Sequence, residues 1–417
     1  MEKQLRVLVV LPMYGGSLPI GRYCIEALKE LGHSVRVFEA PVFYNAFTAL
    51  RTLDLSPEQI APLEHSFLQI VSQAVFAHVQ AFEPHLVFCL AQAPMGKNLL
   101  QRLRRLGIRT CMWFVEDYTL FTYWKLYAPL YDVFCVIQKE PFLSRLREIG
   151  QNNALYLPLA ALPLFHSPLS LTPEEKRIYG ASIAFLGAGY PNRRIAFRAL
   201  LGKDFKIWGS DWDGETVLKE HIQRNGERIS EDEARKIYAA TTLNLNLHSS
   251  VHIEELVSHG DFVNPRTFEL ACMGAFQLVD KRSLMAELFG DDELATFASL
   301  EEMLALIDFY LHHPEERAHI AQKSRERVLK DHTYAKRMEE MLGFVEKSAG
   351  FPVFEKDVAK PRALQTEIDA LLHTLGAGPS ADFEEVVARL RRQQGRLSEL
   401  ETSILFLDEF QKQYCSK

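Results

Sequence analysis

Arg266 and Glu269 sit three residues apart in the run Asp261-Phe-Val-Asn-Pro-Arg-Thr-Phe-Glu-Leu-Ala-Cys-Met-Gly-Ala-Phe276. Asn264-Pro265 is turn-prone and opens an apolar helix, and Gly274 stops it before a β-like run from Ala275 to Val279. Proline in the first turn and glycine past the last are the ordinary punctuation of a helix. A spacing of three puts the guanidinium and the carboxylate on one face, near the positive end of the helix dipole. That combination suits a nucleotide: helix amides and Arg266 on a diphosphate, Glu269 on ribose hydroxyls. An exposed ion pair on an ordinary core helix has the same spacing, so the surrounding chain has to decide.

Gly187-Ala-Gly189-Tyr-Pro-Asn192-Arg193-Arg194 is a glycine-containing turn after a strand-like run. It is no dinucleotide fingerprint, because Asn192 stands where that pattern needs its third glycine. With Asn192 and Arg193 at a helix start it can cradle a diphosphate, or the arginines can simply be solvated. Gly15-Gly16-Ser17 occupies the equivalent turn of the first half, where glycines let backbone approach a phosphate or sugar. Glu116 and Asp117 run off a strand's carboxyl end, where a carboxylate can deprotonate an acceptor hydroxyl or orient it. Trp208-Gly209-Ser-Asp-Trp212 can stack on a base or serve as core. His248 ends a strand facing the expected cleft, yet a structural histidine fits equally well. With His252 and His259 its spacing matches no common zinc motif, so no metal site is expected.

Around these residues strands and helices alternate twice. Short apolar strands begin at Leu5, Ser34, His85, Arg109 and Asp132, and again at Ser182, Phe205, Leu243, Phe276 and Leu294. Such strands separated by helices imply parallel sheets covered on both faces, hence an α/β fold of two Rossmann-like, doubly wound domains. The divisions fall at 1–160, 161–331, a linking helix at 332–349, and a helical extension at 350–417. In the extension, Leu364, Ile368, Leu371 and Leu372, then Phe383 through Leu407, keep helical spacing around Gly376-Ala-Gly-Pro379, which reads as a two-helix hairpin. Its apolar stripes need a partner, either the chain's own domains or a second copy in a homo-oligomer. A chain of 417 residues suits this number of domains. A net charge of -7 with a pI near 6.1 argues against a general nucleic-acid binder. No run approaches the roughly 20 apolar residues of a membrane span, and the first strand is too short and β-like for a secretory signal. Six scattered cysteines without a C-x-x-C pair read as buried thiols of a reducing compartment, the cytoplasm.

The patterns F-L-G-x-G-Y-x-N-R-R, W-G-S-D-W, N-L-N-L-H and V-N-P-R-T-F-E-L-A-C-M-G-A-F, with L-x-x-x-x-F-Y-L-x-H-P-E-E-R behind them, resemble the CgeB-like (spore-maturation-protein-like) bacterial glycosyltransferases. The likeness runs over about residues 182–341, is weaker over 5–160 and does not reach the tail. It implies glycosyltransferase-B architecture, with the acceptor mainly on the first domain and a nucleotide-diphosphate sugar, as co-substrate rather than cofactor, on the second. It also implies a surface polysaccharide, spore-coat or protein glycan as acceptor. The group's E-x7-E arrangement is here Asp261-x7-Glu269, so its first acid is replaced by Asp. Metal-independent transfer is expected, on the reading that the chain has no D-x-D sequence and no credible His or Cys ligand set, with Arg193 and Arg266 meeting the leaving diphosphate. A nucleotide-sugar epimerase of the same fold and a non-catalytic nucleotide-sugar-binding protein are the rival readings.

Overall fold

In the computed structural model the described residues are 4–251, 256–257, 260–352, 362–378, 381–393 and 395–414. Contacts divide the chain after Pro352 into a large unit and a small C-terminal one.

The large unit holds two wholly parallel sheets. The first contains β1 (Arg6–Val10), β2 (Ser34–Phe38), β3 (Leu86–Leu90), β4 (Arg109–Phe114), β5 (Val133–Val136) and β6 (Ala154–Tyr156), in the order β2-β1-β3-β4-β5-β6. Val7 lies opposite both Val35 and Leu86, and β3 is buried along its whole length, as its unbroken apolar sequence requires. The second contains β7 (Ala181–Leu186), β8 (Phe205–Trp208), β9 (Thr241–Asn246), β10 (Gln277–Asp280) and β11 (Ala295–Phe297), in the order β11-β10-β9-β7-β8. Strand order reverses between β1 and β3 in one sheet and between β7 and β9 in the other. Open α/β sheets bind ligands beyond the carboxyl ends of the strands at such reversals.

The chain crosses between the domains twice, and the two crossings are tied together. Ala161 pairs with the segment around Thr333, donating to His332 O at 3.0 Å and accepting from Tyr334 N at 2.9 Å. The stretch from Leu157 to Leu162, which joins the two domains, is largely buried. Beyond it the helix Tyr334–Ala349 returns to the first domain, where Tyr334, Met338, Met341 and Val345 share a core with Ile20, Tyr23, Cys24 and Leu28. Cys24, Cys89, Cys111, Cys135 and Cys272 are free and buried, as expected, while Cys415 lies outside the described residues. Among the described residues no helix is long and apolar enough to cross a membrane.

The tail departs from the expected hairpin. Among the described residues it forms three helices, Arg362–Thr374, Phe383–Leu390 and Glu399–Tyr414, clustered around Leu371, Leu375, Val386 and Leu390. The apolar stripe continues, but the backbone breaks at Gly395 (φ +139°), and a capping box restarts the helix: Glu401 N donates to Ser398 Oγ at 3.3 Å and Ser398 N to Glu401 Oε2 at 2.7 Å. The Leu364 side chain is outside the described set.

Candidate functional site

The N-L-N-L-H run on β9 explains how the 265–273 helix is seated. Side chains alternate across a strand, so Leu243, Leu245 and Leu247 enter the core while Asn244, Asn246 and His248 share the other face. Asn246 Nδ2 donates to Thr267 Oγ1 at 3.0 Å and to Gln277 Oε1 at 3.2 Å, beneath the start of the helix Pro265–Met273. Asn264 caps that helix, its Oδ1 accepting from Thr267 N at 3.1 Å and its Nδ2 donating to Asn246 Oδ1 at 2.8 Å. Gly274 ends it in the left-handed conformation (φ +68°).

His248 belongs to this framework. Its Nε2 accepts from Asn264 N at 3.0 Å, so its Nδ1 carries the proton and donates to Asp280 Oδ1 at 2.7 Å. Burial holds the imidazole below its ordinary pKa, and it stays neutral. It therefore positions the helix cap instead of facing the cleft. His252 and His259 lie outside the described residues.

Arg266 and Glu269 project from the same helix. Arg266 Nη1 donates to Asn246 Oδ1 and its Nε to Tyr238 Oη, both at 3.3 Å. The guanidinium lies over the Gly187 backbone, where an added Cβ would come within 3.2 Å of Nη2. Glu269 is only 17% exposed and accepts no hydrogen bond among the described residues; the nearest cation-forming group is His166 Nε2 at 3.9 Å. His166 Nδ1 accepts from Leu162 N at 3.0 Å, which leaves a neutral ring with Nε2–H toward Glu269. Burial, opposed by Arg266 and reinforced by Glu231, pushes the Glu269 carboxyl up to about 7. Tyr23 of the first domain closes this corner, donating to Glu231 Oε2 at 3.2 Å and packing edge-on against His166.

Several residues expected at the ligand instead build the walls. Arg193 is buried, donating from Nε (3.0 Å) and Nη2 (2.7 Å) to Leu247 O and from Nη1 (3.0 Å) to Ala188 O. Burial, with Arg266 beside it, lowers its pKa to about 9. Asn192 is fully buried, donating to His248 O at 3.0 Å and accepting from Ser250 N at 3.0 Å. Both residues clamp the β7 and β9 loops and do not cradle a diphosphate. Trp208 is a correction of the same kind: it is 2% exposed and packs on Tyr179, so its ring offers no face to a base. Gly189 and Gly209 are where the β7 and β8 loops touch. Gly209 has φ +112°, and a Cβ there would lie 2.6 Å from Gly187 O.

Across the cleft, Gly15 (φ +101°) and Gly16 lead into the helix Ser17–Glu30, and Ser17 Oγ is fastened to Ala91 O at 3.1 Å. Glu116, half-buried, accepts from Tyr123 Oη at 2.8 Å and from Gln92 Nε2, and Gln92 itself takes an unusual φ of +65°. Burial raises the Glu116 pKa. Asp117 is turned into its own loop, accepting from Thr119 N at 2.7 Å and Thr119 Oγ1 at 2.5 Å, and it lines an interdomain cavity of about 760 Å³. Asp261 lines the same cavity and accepts from Gln138 Nε2 at 2.9 Å, a bond that joins the two domains. Among the described residues no three His, Cys, Asp or Glu side chains are grouped to hold a metal ion. The chain does carry one D-x-D triplet, Asp211-Trp-Asp213, passed over by the expectation of metal independence; Asp211 accepts there from Ser210 Oγ at 2.8 Å.

Two Rossmann-like domains facing one another across this cleft define the glycosyltransferase-B architecture. Residues 193–343, which contain the Arg266–Glu269 helix, match the family model described as glycosyl transferase-like. Solved structures of the same fold include a glycosyltransferase from Rickettsia africae ESF-5 (TM-score 0.55, 11% identity, 83% of this chain and 98% of that one). A sucrose-phosphate synthase from Thermosynechococcus elongatus aligns with TM-score 0.56 and 12% identity over 83% of this chain and 99% of its own. The Anabaena protein HepE in complex with UDP and glucose aligns with TM-score 0.56 and 10% identity over 82% and 100%. Among curated proteins the chain has no match.

Proposed function

We propose that the chain transfers a sugar from a nucleoside-diphosphate sugar to an acceptor hydroxyl held by the first domain. The observation that carries this is Glu269: a largely buried carboxylate with no donor of its own among the described residues, one turn from Arg266, at the β7/β9 reversal. A ribose supplies the two hydroxyl donors that this carboxylate lacks, and Arg266 over Gly187 meets the diphosphate. The glycosyl transferase-like match over the same segment, and a fold neighbour solved with UDP and glucose, support the reading. Buried free thiols agree with a reducing, cytoplasmic setting.

In the reaction the acceptor oxygen bonds to the anomeric carbon as the bond from that carbon to the diphosphate oxygen breaks. The leaving diphosphate keeps the electron pair, and Arg266 stabilises its charge without a metal ion. Glu116 takes the acceptor proton; its raised pKa and its two orienting partners support it over Asp117, whose carboxylate is engaged by Thr119. An epimerase would turn over the donor alone. Calorimetric titration with UDP, ADP, GDP and dTDP, followed by donor turnover with and without acceptor mixtures, tests the reading. No binding of any nucleotide, or donor isomerisation without an acceptor, would overturn it.

A further inference from the structure

The first domain contains a second cavity, of about 770 Å³, which the transfer chemistry above leaves uncharacterised. It opens at the carboxyl ends of β1, β3 and β4, the reversal of the first sheet, with Met13, Gln92 to Leu99 and Met112 around it. Its size is that of a site for a small organic molecule. Tyr14, Phe47, Tyr123, Tyr127 and Tyr131 supply aromatic walls, and Leu68, Met95 and Met112 fill between them.

Two features say what kind of molecule fits. The charge of the lining is one-sided: Lys97 and Arg51 contribute, and among the described residues no carboxylate does. Lys97 Nζ lies over the Tyr127 ring, 5.7 Å from its centroid, and Arg51 also pairs with Glu64. Finally, Gln92 and Tyr123 line the cavity and both hydrogen-bond the Glu116 carboxylate, so the cavity adjoins the group assigned to take the acceptor proton.

We propose that this cavity holds the acceptor, and that the acceptor is a small anionic amphiphile: an apolar, ring-compatible body bearing a hydroxyl and a carboxylate or phosphate. This rests on the transferase reading but narrows it, since a neutral polysaccharide chain would leave the cationic lining unused. The body packs against the tyrosines and methionines, the anion faces Lys97, and the hydroxyl points toward Glu116.

The test is equilibrium binding to the full chain with four probes: 4-hydroxybenzoate, n-octyl phosphate, neutral maltotriose, and UDP as the donor-side control. Both or either of the anionic probes should bind, maltotriose should not, and the preference between the two identifies the source of the anion. Lys97→Glu should weaken the anionic probe by tenfold or more and leave UDP affinity unchanged, which also shows that the variant is folded. Failure of both anionic probes to bind at millimolar concentration, tighter binding of maltotriose, or indifference to Lys97→Glu overturns the proposal. Loss of UDP binding in the unaltered protein instead overturns the donor reading and leaves the cavity result standing.

Discussion

Replacing Glu269 with Gln separates what this carboxylate does for a ligand from what it does to the fold. The side chain is 17% exposed and its pKa moves from an ordinary 4.5 to about 7. That shift corresponds to roughly 3 kcal/mol of free energy set against the ionised form, a ceiling given the remaining solvent. Between pH 4.5 and about 7 the folded chain holds a proton that the unfolded chain has released. Stability from this group therefore falls as pH rises through that window, and the full cost stands above it. Glu269→Gln removes the ion and should raise the melting temperature at pH 8 by a few degrees, with the gain fading toward pH 4.5. The same change removes charge-assisted hydrogen bonds to ribose and should weaken nucleotide binding by about 1–3 kcal/mol, or roughly 5- to 150-fold. Scanning calorimetry at several pH values and nucleotide titration read the two effects separately. A variant that melts lower at pH 8 and binds nucleotide as tightly as the unaltered protein would refute the reasoning on both counts.

Glu116→Gln should lower transfer by about 100-fold or more while leaving nucleotide affinity unchanged, since it removes a proton acceptor and no donor contact; unaltered turnover would return the role to Asp117. Gly209→Ala forces a Cβ to 2.6 Å from Gly187 O at φ +112°, and denaturant unfolding should show a loss of about 1–3 kcal/mol. A chain ending at Pro352 should retain nucleotide affinity, because the contact division falls there, while the oligomeric state by light scattering or acceptor use changes; an unchanged oligomeric state and rate would make the tail dispensable. Chelator should leave transfer intact, and loss in EDTA that is restored by manganese or magnesium would restore a role for a metal ion, with Asp211 and Asp213 the first residues to examine.

The strands were legible because a strand covered on both faces must be almost wholly apolar, as Leu86 to Leu90 and Val133 to Val136 are. The 265–273 helix was legible for a different reason, since Asn-Pro and Gly mark its ends through local backbone chemistry. Local signals were also missed: Thr172-Pro-Glu-Glu175 is a capping box, and it starts the helix Pro173–Tyr179. What the sequence could not reveal was which polar side chains turn inward. Arg193 and Asn192 follow a glycine turn, as ligand-binding residues do, yet Asn192 Nδ2 and the Nε and Nη2 of Arg193 donate to carbonyls more than 50 residues away in the chain. The N-L-N-L-H alternation did announce one polar face, and from it the roles of Asn246 and His248 could have been read. Nothing local marked Tyr23, which reaches Glu231 and His166 from the first domain, or His166, whose Nε2 comes within 3.9 Å of Glu269. Nor could spacing foresee that adjacent acids diverge, Glu116 toward Gln92 and Tyr123, and Asp117 toward Thr119.

The most direct test of the account is a crystal structure of the protein with UDP, or with whichever nucleoside diphosphate binds most tightly. The ribose hydroxyls should lie within hydrogen-bonding distance of the Glu269 carboxylate, and the diphosphate should rest beside Arg266 over Gly187. A nucleotide seated in the first-domain cavity, or one in the cleft with its ribose turned away from Glu269, would contradict it.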